Sequence, residues 1–121
     1  MFEIPHTVVE TEPFLKHAAA LWNEEERQEF IGFIAVNPLA GAEITGTGGI
    51  RKIRWTRAGM GKRGGTRVIY YYYNETAPVY LLTVYAKSKK EDLSSREKTA
   101  FKEVAEAIKA QIKARQKATR L

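Results

Sequence analysis

The sequence predicts an α+β fold of element order β-α-α-β-β-β-α, on three observations. Apolar residues recur at helical spacing in two early segments and one late one. Between them, IRKIRW, TRVIYYYY and VYLLTVYAK are rich in β-branched and aromatic residues, as strands are. The connections between these three are short, which implies an antiparallel meander. With 121 residues the chain fits one domain over 1–121, large enough to bury a core without staples, with a basic tail over about 114–121.

The elements follow in order. FEIPHTVV reads as a short strand, and Pro5 places it at a sheet edge. Thr11 stands where a cap is needed for a helix with Glu12 and Pro13 in its first turn, and Phe14, Leu15, Ala18, Leu21 and Trp22 form its apolar side. Asn23 caps a second helix with Glu24, Glu25 and Glu26 at its positive end. Phe30, Ile31, Phe33, Ile34 and Val36 continue it until Asn37-Pro38 stops it. Ala40 to Gly49 is small and Gly-rich, a loop. The three strands come next, joined by Arg57–Gly65 and by Asn74–Pro78. Ser94 and Glu97 match a capping box, and Phe101, Val104, Ala105, Ile108 and Ile112 mark one face of a last helix.

Charge is distributed unevenly along this order. Residues 1–50 carry two cations against eight acids, whereas residues 51–90 carry ten cations against Glu75 alone. A basic centre in a chain of net charge +6 points to a polyanionic partner, nucleic acid first, with a merely solvated basic face as the alternative. There are no cysteines, which removes disulfides, zinc-thiolate sites and cysteine nucleophiles. The N-terminus lacks a basic start and an apolar core of the signal type, and no segment approaches the ~20 apolar residues of a membrane span, so a soluble cytoplasmic protein is expected.

Gly59, Gly61 and Gly64 match GxGxxG, but a dinucleotide site needs a helix after the glycines and TRVIYYYY is strand-like. Arg63 stands where a Walker loop needs Ser or Thr. The stretch is a hairpin loop, whose Arg57, Lys62 and Arg63 can touch phosphates. Period-two alternation then puts Ile53 and Trp55, Val68 and Tyr70, and Leu82 and Val84 on a core face under the helices. Lys52, Arg54, Arg67, Tyr71, Tyr73, Tyr85 and Lys87 gather on the opposite face. Cations that hold phosphates beside rings that stack bases suit single-stranded RNA; cross-strand packing and solubility would account for the same residues.

His6 and His17 form no ligand pair, and no carboxylate lies between Gly49 and Asn74, so neither a metal site nor a carboxylate dyad is readable there. No metal or other cofactor is expected. Catalysis with Lys, Arg and Tyr is open to RNA cleavage, because the 2′-hydroxyl beside the phosphate is a built-in nucleophile that needs alignment, proton transfer and charge stabilisation.

On the helical hairpin ending NPLAG, then GTGGIRKIRW, GKRGGTRVIYYYY and VYLLTVYAKSKKEDLS, the chain resembles the RelE/ParE superfamily of bacterial toxins, and within it the HigB-like branch. The resemblance covers nearly the whole chain. It implies the toxin of a type II toxin–antitoxin system, an endoribonuclease that cleaves mRNA on the translating ribosome. It further implies neutralisation by a cognate antitoxin, and contact with operator DNA through that antitoxin only. By position, the RelE-like lysine pair falls on Lys52 and Arg54, the arginine of the G-x-R-hydrophobic-hydrophobic-Tyr segment on Arg67, and the cationic strand end on Lys87, followed by Lys89 and Lys90. Where RelE has a catalytic tyrosine this chain has Asp92, Leu93 and Ser94, which passes proton transfer to Tyr85, Tyr71 or Tyr73, or to a lysine. A ParE-like inhibitor of DNA gyrase and a non-catalytic RNA-binding module are the alternatives.

Overall fold

The computed structural model describes residues 4–56, 65–90 and 92–118. Its elements are β1 (Val8–Glu10), α1 (Glu12–Leu21), α2 (Glu24–Val36), β2 (Ala42–Glu43), β3 (Ile50–Trp55), β4 (Thr66–Tyr72), β5 (Val79–Ala86) and α3 (Ser95–Ala118). The strands form one sheet of order β1-β5-β4-β3-β2. β1 runs parallel to β5, and the other pairs are antiparallel. β1 is the edge strand that Pro5 implied. The segment 40–49, read as a loop, contains the two-residue β2 on the other edge, and Gly46, Gly48 and Gly49 take positive φ to turn the chain into β3.

Two of the three helices begin as their caps dictate. The Asn23 side chain accepts from the Glu26 N–H at 2.8 Å, while the Glu26 carboxylate accepts from the Asn23 N–H at 3.0 Å. Ser94 and Glu97 do the same for α3, at 3.1 and 2.9 Å. Thr11 sits at the N-cap of α1, but its hydroxyl donates to the Leu81 carbonyl at 2.8 Å instead of capping. That bond ties the start of α1 to β5, beyond the end of the β1 pairing.

Apolar residues fill both faces of the sheet. Phe14, Ala18 and Trp22 of α1 with Phe30 and Ile34 of α2 pack on Val68, Tyr70, Val79, Leu81 and Val84. Burial of such a side chain stabilises by roughly 1.5–3 kcal/mol. On the other face, Ala105 and Ile112 of α3, with Phe101 and Ile108 beside them, pack on Ile44, Ile50, Ile69, Tyr71, Tyr80 and Leu82. Val104, expected on that helix's apolar face, is 41% exposed.

The sheet is therefore a middle layer, and the face expected to be open is largely covered by α3. The physical reason is in α3 itself: a helix with a continuous apolar stripe must bury it, and the second face offers Ile50, Ile69 and Tyr71 to receive it. Alternation holds along β4, with Tyr70 and Tyr72 toward α1 and α2 and Tyr71 and Tyr73 toward α3. Along β5 it fails. Ile69 pairs with Thr83 and Tyr70 with Leu81, so the register skips Leu82; this bulge puts Leu82 against α3 and leaves Leu81 and Val84 together on the first face.

Candidate nucleic-acid interface

β3, β4 and β5 are in register at Arg54↔Arg67 and Arg67↔Tyr85, so three side chains form one row across the sheet. Cross-strand neighbours of this kind stand about 5 Å apart at Cβ. Lys52 lies one pleat away on the same face of β3. The row escapes cover because α3 starts beside it and runs the other way: Asp92, just before α3, meets Lys52, whereas Gln116 near its end donates to Thr76 at 2.8 Å. Arg54 is thus exposed and Lys52 partly so, while Arg67 and Tyr85 lie deeper in the same patch.

Arg67 is well shielded, its side chain 14% exposed, and its Nε is buried with no hydrogen-bond partner among the described residues. The Tyr85 hydroxyl is likewise buried without one. Burial pushes the Tyr85 phenol up; Arg67 opposes the rise, and Asp92 and Glu97 add to it. Tyr85 therefore keeps its phenolic proton at neutral pH. Lys90 sits 5.3 Å over the Tyr85 ring and pairs with Glu97.

A carboxylate completes this group. The Lys52 Nζ donates to Asp92 Oδ1 at 2.8 Å, and Arg67 NH1 lies 3.6 Å from the same oxygen. The hydrogen bond from Lys52 holds the Asp92 carboxyl below the usual carboxylate range, and Arg67 adds to the effect. Asp92 was not among the expected site residues. The signal was present in the sequence, since Asp92 lies two residues after Lys90 at the cationic end of the last strand and two before Ser94, which opens the capping box of α3.

The expected residues divide as follows. Lys52, Arg54, Arg67 and Tyr85 are brought together, with Lys90 over Tyr85. Lys87 and Lys89 lie in the turn just after β5, where the Lys87 N–H donates to the Gly65 carbonyl at 3.1 Å. Tyr71 corrects the expectation: it is 2% exposed in the core under α3, so RNA cannot reach it without removing that helix. Tyr73 is half-buried at the far end of β4, with Lys109 of α3 5.5 Å from its ring centre. Arg57, Lys62 and Arg63 lie outside the described residues.

Lys52 is held from behind. The buried Tyr70 hydroxyl donates to the Pro38 carbonyl and accepts from the Gly41 N–H, both at 2.8 Å. Gly41 in turn packs against the Lys52 backbone, where an added Cβ would stand 2.8 Å from the Lys52 carbonyl oxygen. The loop before β2 thereby fixes the height of β3.

A family model described as the RelE toxin of the RelE / RelB toxin-antitoxin system matches residues 35–120. The chain is also similar in structure to the E. coli toxin RelE, solved as an arginine-to-alanine double mutant in the free state. That match has a TM-score of 0.54 at 18% sequence identity and covers 73% of this chain and 90% of that one.

Proposed function

This chain belongs to the RelE toxin family, and on that premise we propose that it is a HigB-like endoribonuclease that cleaves translated mRNA on the ribosome. Its cognate antitoxin neutralises it and carries it to operator DNA. Translating ribosomes place its action in the cytoplasm.

The observation that carries this reading is the row Arg54–Arg67–Tyr85 beside Lys52, in which two buried polar atoms, Arg67 Nε and the Tyr85 hydroxyl, have no partner among the described residues. Buried polar atoms left unpaired cost stability and are found where a ligand satisfies them. A phosphodiester placed there accepts from both. Arg67 clamps its non-bridging oxygens, with Lys52 and Arg54 adding positive charge as negative charge builds on phosphorus. The 2′-hydroxyl attacks the adjacent phosphorus, the P–O5′ bond breaks, and a 2′,3′-cyclic phosphate and a 5′-hydroxyl result. The 2′ proton passes to a base of the site, Lys87 or another lysine, and O5′ gains a proton from Tyr85. Lys89 and Lys90 extend the RNA track, with Arg57, Lys62 and Arg63 on the β3–β4 connection; Tyr73, at the far end of β4 beside α3, stands apart from it. No metal takes part.

The test is a cell-free translation reaction in which mRNA ends are mapped by primer extension, with wild-type protein and Arg67→Ala. Cuts phased with codons are expected, falling about 10²–10³-fold in the variant, the usual loss when one stabilising donor is removed. Intact mRNA with trapped gyrase–DNA complexes would replace this reading with ParE-like gyrase inhibition, and neither effect would leave an RNA-binding module.

A further inference from the structure

Resting on the phosphate site proposed above, we infer that Asp92 is an internal occupant of that site, a carboxylate that stands in for the substrate phosphate until RNA displaces it. Two cations from different strands, Lys52 of β3 and Arg67 of β4, converge on the one oxygen Oδ1 of a residue from outside the sheet. The fit is incomplete in an informative way. Arg67 Nε and the Tyr85 hydroxyl stay without a partner among the described residues. A carboxylate offers two oxygens on a short stem, whereas a phosphodiester offers four oxygens around a tetrahedral centre and carries the same single negative charge. Exchange of one for the other conserves charge at the site and adds acceptors for the donors that Asp92 leaves unmet.

The surroundings make the exchange local. Leu93, the next residue, is buried against α3, and Ser94 caps that helix with Glu97, so the chain is anchored immediately beyond Asp92. Lys90 is held by Glu97 on the near side. Asp92 itself is 59% exposed at the side chain. Rotation of one side chain into solvent frees Lys52 and Arg67 with no movement of α3. Exposed ion pairs are weak and screened by salt, so this contact tunes affinity and does not lock the site.

The experiment measures anisotropy of a fluorescein-labelled 2′-O-methyl oligoribonucleotide, which cannot be cleaved, against wild-type protein, Asp92→Asn, Asp92→Ala, Lys52→Ala and Arg67→Ala. Both Asp92 variants are expected to bind about two- to fivefold more tightly than wild type, the range of one or two exposed ion pairs. The gap should narrow between about 50 and about 200 mM salt as screening grows. Unchanged or weaker binding by the Asp92 variants, while Lys52→Ala and Arg67→Ala still weaken it, overturns the inference alone. Indifference to Lys52→Ala and Arg67→Ala overturns the phosphate site together with it. Cleavage abolished by Asp92→Asn at unchanged affinity would assign Asp92 to the chemistry and also overturn it.

Discussion

Arg67 and Tyr85 face each other across β4 and β5, and each holds a buried polar atom, Nε and the hydroxyl, without a hydrogen-bond partner among the described residues. Each such atom costs about 1–3 kcal/mol of stability. The expense falls on adjacent residues of the site and not on the two cores.

Tyr85→Phe therefore separates stability from function. Removal of the unpartnered hydroxyl is expected to raise stability by about 1 kcal/mol in urea unfolding, and mRNA cleavage mapped by primer extension should fall. A variant that is less stable and fully active would show that the hydroxyl is satisfied in the free protein and idle in the reaction.

Gly41→Ala tests the support behind Lys52. The new methyl would stand 2.7 Å from Tyr70 Cε1 and hydroxyl oxygen and 2.8 Å from the Lys52 carbonyl oxygen. Two of these contacts are with a buried ring and one is with backbone, so neither can yield easily. A loss of about 1–3 kcal/mol is expected, typical of overpacking, together with reduced RNA affinity as β3 shifts. Unchanged unfolding and binding would mean that this loop does not position Lys52.

Tyr71, which faces α3, should behave differently from a catalytic group. Tyr71→Ala is expected to cost about 3–5 kcal/mol, as large-to-small changes in a core do, while Tyr71→Phe keeps cleavage near wild type. If Tyr71→Phe abolished cleavage in a protein with an unaltered unfolding curve, Tyr71 would have to reach RNA, and α3 would have to leave the sheet.

Acid should weaken the fold through three carboxyls. Hydrogen bonds from Arg27, Lys52 and Lys90 hold Glu24, Asp92 and Glu97 respectively below the ordinary carboxylate values. Because the folded values are depressed, their contribution is present above the unfolded pKa, near about 4, and is lost as pH falls through the lower folded values. The urea midpoint is expected to be level from about pH 7 to about pH 5 and to drop below about pH 4. Lys90→Ala should make that drop shallower. A midpoint that falls equally in both proteins would assign the acid sensitivity elsewhere.

Much of this molecule is legible in its sequence, because the features concerned act over a few residues. The capping pairs Asn23–Glu26 and Ser94–Glu97 begin α2 and α3 as read, the order of elements follows from apolar spacing, and the tyrosine run divides by alternation into Tyr70 and Tyr72 on one face and Tyr71 and Tyr73 on the other. Family membership, which a resemblance on local motifs implied, is shown by the family model over residues 35–120. Tertiary structure alone decided what those faces meet. A periodic stripe states that α3 must bury Phe101, Ala105, Ile108 and Ile112, but not against which surface; the sheet's second face receives them, and Tyr71 becomes core. A bulge that skips Leu82 arises from the pairing of β4 with β5, which alternation within β5 does not encode. The contact of Lys52 with Asp92 joins residues forty positions apart. Such a contact follows from how the layers pack, because side-chain neighbours across a sheet are set by register and by the path of the helix laid over it.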